Sequence, residues 1–225
     1  MCLLHSLEKY LKEEEISSAG TWSPFRVGSR GATRTTQERN RLFSSIITFF
    51  EKSIVSAFNS HEGPEPIKER NYYKEFRKFS ELDRITKDAS LSTKEKIKLI
   101  SRPSRSDIGA FLKKLFKYGE VQYEVQIYAL LLLSRFLTTT GWKLRATHWR
   151  ILLITATRIA QKFEGRHPMR ANVLEHIYPL FSVEEFTHLE NHFLHIIDYR
   201  CFTTYEQYTN FLRNNFESCD KLHGQ

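Results

Sequence analysis

The chain has 225 residues, of which 40% are hydrophobic and 27% are charged, proportions that are ordinary for a soluble globular protein. Its longest apolar run, residues 127–133, is far shorter than the roughly 20 residues that a membrane-spanning helix needs, so no membrane association is expected. The three cysteines lack CxxC spacing, which fits free thiols in a reducing compartment. Because no signal-peptide pattern is present, the sequence predicts a cytoplasmic protein, a nuclear protein, or one found in both places.

The formal net charge of +8 lies mostly outside the region with the strongest helical pattern. Residues 1–105 carry 20 Lys and Arg against 14 Asp and Glu, whereas residues 106–200 carry 12 against 9. A nucleic-acid-binding protein more often concentrates its basic charge on the folded domain itself. The charge pattern therefore favours a solvated N-terminal extension and argues against a nucleic-acid partner.

Residues 1–103 are predicted to form an N-terminal extension that is partly helical and partly disordered. Within it, residues 37–59 carry apolar side chains at helical spacing. Residues 81–105 are polar and rich in lysine, which is typical of a linker.

Five helices are predicted in close succession after residue 103. Their expected spans are 107–118, 121–138, 148–163, 170–178 and 183–199. The third is apolar on most sides, which is typical of a central buried helix, and Thr147 is its expected N-cap. Ser182 and Glu185 have the spacing of a capping box before the fifth helix. No strand pattern competes in this region, so the predicted fold class is all-α.

A C-terminal helix and tail are expected at 203–225. Thr203 and Glu206 repeat the capping-box spacing at the start of this segment.

Glu190 is an acid among the apolar side chains of the fifth helix. At about 100° per residue it shares an arc with Phe186, Leu189 and Phe193. A buried carboxylate needs a partner, because an isolated buried charge is costly. Glu190 could instead lie at the rim of the apolar stripe, where it needs none.

Three histidines lie on the opposite side of that helix: His188, His192 and His195. The first two have the i, i+4 spacing of a zinc-binding helix. Because no third ligand is suitably spaced, a solvated polar face is the favoured interpretation and no metal site is expected.

Lys162 lies in the last turn of the third predicted helix, where a cation interacts favourably with the helix dipole. It could alternatively be held as a donor for a backbone carbonyl or an acid on a partner protein. Its position alone favours the first interpretation.

Short motifs within residues 103–213 resemble the cyclin box in their order and spacing. They include Ile108-x-x-Phe111-Leu112, Ser134-Arg135-Phe136-Leu137, Ala160-Gln161-Lys162-Phe163 and Leu189-Glu190-x-x-Phe193-Leu194. The details are most similar to the single-box cyclins of the P/U type and the cyclin Y type. The resemblance implies a single five-helix cyclin box over residues 104–202, with helical extensions on both sides.

The resemblance also implies a function. Cyclins bind and activate a cyclin-dependent serine/threonine kinase by holding its regulatory helix inward, so that the glutamate of that helix pairs with the strand lysine. They perform no chemistry themselves, so no enzymatic activity and no cofactor are expected. The residues implied for kinase binding are Lys162, Glu190, Phe163 and Glu164. Those implied for core support are Arg135, Trp149 and Phe193.

Two departures from the family pattern are visible. In the stretch that aligns with the family's substrate-docking motif, residues 104–108, only Arg105 matches, and Ser134 replaces the acid with which that arginine usually pairs. The two single-box groups usually have two acids shortly after the lysine, whereas this chain continues Glu164-Gly165-Arg166-His167 after Phe163. Substrate docking and partner choice are therefore expected to differ.

Two other functions are compatible with the sequence. One is a cyclin-fold scaffold that binds a kinase without activating it, and the other is a transcription-factor-like module. The R-x-x-S/T motifs at 26–29 and 30–33 suit basophilic kinases and could recruit a phosphopeptide-binding adaptor. The sequence contains no P-loop, G-x-S-x-G or H-E-x-x-H motif, which argues against an enzyme.

Overall fold

The computed structural model describes residues 36–55, 81–164 and 168–216. Several predictions fall outside these residues: the disordered part of the N-terminal extension, the two motifs at 26–33 and the sequence Gly165-Arg166-His167. Within the described residues the chain is mostly helical, which confirms the predicted all-α class.

The helices and two short strands follow one another along the chain. They are α1 (Thr36–Ser53), β1 (Ile54–Val55), α2 (Glu81–Lys87), α3 (Thr93–Ile100), α4 (Arg105–Tyr118), α5 (Tyr123–Thr140), β2 (Leu144–Arg145), α6 (Trp149–Phe163), α7 (Ala171–Ile177), α8 (Val183–Ile196) and α9 (Tyr205–Phe216). The strands pair in parallel, with Ile54 opposite Leu144. The described residues divide into two units, one within 50–201 and the other made of 36–49 and 202–216.

In the larger unit, α6 is the central helix. Every residue from Trp149 to Gln161 is buried, as its apolar pattern predicts. It packs against α5 and α8, and the rings of Phe136 and Phe193 stack between the latter two with centroids 4.6 Å apart. The five helices predicted after residue 103 are thus present as α4 to α8, with ends that differ by a few residues.

In the smaller unit, α1 buries Leu42 and Ile46, whereas α9 buries Tyr208 and Leu212. The spacing of these apolar residues is helical in both cases. No helix among the described residues is both long enough and apolar enough to cross a membrane.

The linker predicted at residues 81–105 is wrong, because α2, α3 and the start of α4 occupy it. In α2, Ile85 is fully buried, and Arg84 pairs with Glu185 at the start of α8. Arg84 also donates to the Leu180 carbonyl (2.7 Å) and lies over the Phe181 ring. A short polar helix is held here by contacts with residues about 100 positions later, which no local pattern reveals.

The start of α6 also differs from the prediction, since His148 rather than Thr147 is its N-cap and makes no capping hydrogen bond through its side chain. Glu81, the first residue of α2, caps the helix instead. Its Oε1 accepts the Ile151 N–H at 3.3 Å. A carboxylate at this position satisfies one of the free donors of the first turn. Burial raises the pKa of Glu81, and Arg150, whose Nη1 lies 3.5 Å from Oε2, opposes that shift.

Capping boxes explain other helix starts, including that of α3, which Ser92 and Glu95 cap. The predicted box of Ser182 and Glu185 is confirmed. Another, formed by Ser104 and Asp107, starts α4 at Arg105, earlier than predicted. The box predicted at Thr203 and Glu206 is wrong by one residue, because the reciprocal hydrogen bonds join Thr204 and Gln207.

The fifth predicted helix ends at Ile196 rather than at Tyr199. Asp198 and Tyr199 adopt left-handed backbone conformations, with φ of 55° and 52°, which terminate the helix. This tight turn brings the following residues back toward α5.

The partly buried side chain of His148 should make the stability of the fold depend on pH. Burial, assisted by the charge of Arg145, lowers its pKa to about 4, and a hydrogen bond to the Lys143 backbone only partly opposes this. An unfolded histidine titrates near 6.5, so the unfolded state binds more protons between about pH 4 and 6.5. The stabilisation is therefore complete above pH 6.5 and is lost as the pH falls, by about 2 kcal/mol at pH 5.

Urea unfolding at pH 7 and pH 5 checks this expectation. The wild type should lose more stability between the two values than His148→Gln does, because only the wild type has an imidazole whose pKa is lowered by the fold. An equal pH dependence in both proteins would show that other groups account for it.

Candidate functional site

A charged cluster lies where α6 ends against α8. Arg158 and Lys162 are four residues apart, so both project from the same face of α6. Glu190 projects from the apolar face of α8 toward them. The helical wheel thus predicted the burial of Glu190 correctly, and the structure excludes the rim position.

Glu190 binds two cations at once. Its Oε1 accepts from the Arg158 Nε–H, and its Oε2 accepts from the Lys162 ammonium. The side chains of Arg158 and Glu190 are each 4% exposed, whereas that of Lys162 is 45% exposed. A buried carboxylate with both oxygens bonded to cations avoids the penalty of an isolated buried charge.

Arg158 was missed by the sequence prediction. The sequence does contain a pattern that indicates it, because Arg158 is a charged residue within an otherwise buried helix and precedes Lys162 by one helical turn. The guanidinium also donates from Nη1 to the Met169 carbonyl at 3.0 Å. Arg158 thus links α6 to α8 and to the segment that leads into α7.

Met169 is held at both of its backbone groups. Its carbonyl accepts from Arg158, and its N–H donates to Oε1 of Gln161 at 3.2 Å. The same Gln161 amide donates to the Gly119 carbonyl at 3.0 Å. Gly119 is required for this approach, because a Cβ there would lie 2.8 Å from the Met169 sulfur and 2.6 Å from the Leu115 carbonyl oxygen.

Phe163 and Glu164 follow Lys162 at the end of α6. Phe163 is 44% exposed and stacks on Tyr128 of α5, with ring centroids 5.4 Å apart. Glu164 is the C-cap of α6, and its N–H donates to the Ala160 carbonyl at 3.1 Å. Two partly exposed side chains thus lie at the end of α6: the Lys162 ammonium, held by α8, and the Phe163 ring, which packs on α5.

Side chains from α5 fix the segment after α8 beside this surface. The Tyr128 hydroxyl donates to the Cys201 carbonyl, and Arg135 donates to the Arg200 carbonyl. Arg135 is half-buried, and this burial lowers its pKa. Its hydrogen bond joins α5 to the residue that follows the turn at Asp198 and Tyr199.

Trp149 and Phe193, the other two residues predicted to support the core, are both fully buried. Trp149 lies between the rings of Phe50 and Phe111, at centroid distances of 5.5 and 5.0 Å.

The histidines of α8 lie away from the charged cluster. His188 and His195 are exposed, and the ring of His195 lies 3.0 Å from the Tyr199 hydroxyl. In the part of the chain that the structure describes, no group of three His, Cys, Asp or Glu side chains is arranged to hold a metal ion.

The stretch that aligns with the family's docking motif forms the first turn of α4. Ser104 is the N-cap, Asp107 is its capping partner and Ile108 is fully buried. Arg105 pairs with Glu51 at the end of α1, at 2.8 Å. These contacts are internal to the domain, and Ile108 contributes to the core rather than to an exposed apolar patch.

The observed arrangement is that of a helical cyclin-box domain: a central buried helix surrounded by others, with a lysine–glutamate pair joining its last turn to the fifth helix. The model of the family described as "Cyclin, N-terminal domain" matches residues 72–201, more than half of the chain, and the chain therefore belongs to the cyclin family. The matched range includes α2 and α3 as well as the five helices after them. Comparisons with curated proteins and with solved structures found no match.

Proposed function

We propose that this cyclin-type regulatory protein binds a cyclin-dependent serine/threonine kinase through the surface around Lys162 and activates it. The observation that carries the proposal is the Lys162–Glu190 pair, because a half-exposed ammonium is held in place by a buried carboxylate. A side chain fixed before binding loses less conformational entropy when the partner arrives.

Phe163 adds an apolar contact beside that charge. Phe163 is 44% exposed, and phenylalanine is among the residue types enriched at the core of protein–protein interfaces. Bound on this surface, the regulatory helix of the kinase would be held inward, and activation would be a shift of population toward the active kinase state. The protein would contribute no catalytic group and no cofactor.

The finer assignments are proposals of the same kind. We place the chain with the single-box cyclins of the P/U or cyclin Y type, acting in the cytoplasm, the nucleus or both. Glu164, at the end of α6, is proposed to contact the kinase together with Lys162 and Phe163.

Lys162→Ala should weaken kinase binding about tenfold, because it removes the fixed cation without disturbing the core. The measurement is co-purification with a panel of cyclin-dependent kinases, followed by titration of the kinase retained. Lys94→Ala on α3 is the matched control, since Lys94 is an exposed lysine in the same domain. Equal affinity for Lys162→Ala, Lys94→Ala and the wild type would contradict the proposed site.

The co-purified kinase also distinguishes a protein that activates the kinase from a scaffold that only binds it. The internal contacts of Arg105 and Ile108 favour a protein without the family's substrate-docking patch, so activation is best measured on a short peptide substrate that needs no docking. A kinase that is retained but gains no activity on this peptide would favour the scaffold.

A further inference from the structure

We infer that Arg158 is a positioning residue that holds the Glu190 carboxylate in the interior, so that this cluster offers a partner the Lys162 ammonium and not the Glu190 carboxylate. This inference rests on the proposed function and specifies which chemical group of the kinase the site accepts. It differs from the expectation that Lys162 and Glu190 both contact the kinase.

The three charged side chains of the cluster differ in their exposure to solvent. Arg158 and Glu190 are shielded from solvent, and only Lys162 reaches it. A partner docking on this surface can therefore contact the ammonium directly, but it can reach the carboxylate only by displacing side chains that are already bonded to it.

Each oxygen of the Glu190 carboxylate has a cationic donor. One carboxylate oxygen accepts from Arg158 and the other from Lys162. Arg158 is itself fixed, since Nη1 donates to the Met169 carbonyl and Nε donates to Glu190. Without Arg158, Glu190 would need a second donor, and a donor from the partner would be the natural replacement.

The cluster carries one net positive charge, because two cations share one carboxylate. An ammonium has three N–H donors, and Glu190 takes one of them. The remaining donors fit a group rich in acceptors, such as a carboxylate or the free carbonyls at the C-terminal end of a helix. A partner cation at this position would be repelled.

Nuclear magnetic resonance of lysine ammonium groups in the full chain tests the positioning without any kinase. The wild type should give one slowly exchanging ammonium signal, assigned by its loss in Lys162→Arg. That signal should be lost in Glu190→Gln and in Arg158→Met, and it should be retained in Arg158→Lys, which restores a buried cation. Circular dichroism of each variant verifies that it is folded.

Either of two results would overturn the positioning role. One is a wild type without a protected lysine signal, and the other is a signal unchanged by Arg158→Met in a folded protein. A merely structural role for Arg158 would change stability but would leave the Lys162 signal as it is.

Kinase binding tests the second part of the inference. If Glu190 acts only through Lys162, adding Glu190→Gln to Lys162→Ala should change the dissociation constant by less than about twofold. A further loss of several-fold in the double variant would show that Glu190 contacts the kinase directly. If the wild type retains no kinase, the proposed function fails, whereas the ammonium signals still decide the role of Arg158.

Discussion

Replacing Glu190 with alanine should lower the free energy of unfolding by about 3–5 kcal/mol. The substitution leaves the Arg158 guanidinium buried without its carboxylate, and an uncompensated buried charge is strongly destabilising. Lys162 contributes little to the loss, since its half-exposed ammonium can turn to water. Urea unfolding followed by circular dichroism at pH 7 measures the difference.

Two control variants separate the buried pair from the exposed one. The double variant Arg158→Met with Glu190→Leu should recover most of the lost stability, because apolar side chains of similar size replace a buried ion pair at little net change. Lys162→Ala alone should cost less than about 1 kcal/mol, as is usual for a partly exposed ion pair. A loss below 1 kcal/mol for Glu190→Ala would contradict the buried pairing.

The sequence was sufficient to predict half of this cluster. Helical periodicity places Glu190 on the buried face of α8, and the structure confirms that placement. Arg158 shares a face with Lys162 by its spacing alone, yet periodicity does not say which neighbouring helix that face meets. That information lies in the packing of α6 against α8, which is a tertiary property.

Some helix starts are likewise determined by nearby residues, and others are determined by residues distant in sequence. The box of Ser182 and Glu185 is predictable because both partners lie within one turn. At the start of α9, two overlapping pairs fit the pattern, Thr203 with Glu206 and Thr204 with Gln207, and local sequence cannot choose between them.

The cap of α6 could not be predicted from its neighbours in sequence. Glu81 supplies it from α2, about 70 residues earlier, and the same glutamate lies beside Arg150. Residues 81–105 have the composition of a linker, but their contacts with residues distant in sequence make them part of the packed domain.

Replacing Trp149 with alanine should lower the free energy of unfolding by about 3–5 kcal/mol, the usual range for deleting a large buried aromatic side chain. Trp149 starts α6, is fully buried and contacts the rings of Phe50 and Phe111, so its loss opens a cavity where three segments meet. Thermal and urea unfolding should both show the loss, and a change below about 1 kcal/mol would place Trp149 outside the core that stabilises the domain.

Trp149→Phe tests the same site more finely and should cost only about 1–2 kcal/mol. The indole Nε1–H is buried and has no hydrogen-bond acceptor among the residues that the structure describes. Phenylalanine loses part of the packed volume but also removes this unsatisfied donor, and the second effect offsets part of the first. A loss for Trp149→Phe as large as that for Trp149→Ala would mean that the indole N–H is bonded in solution, with an ordered water as its acceptor.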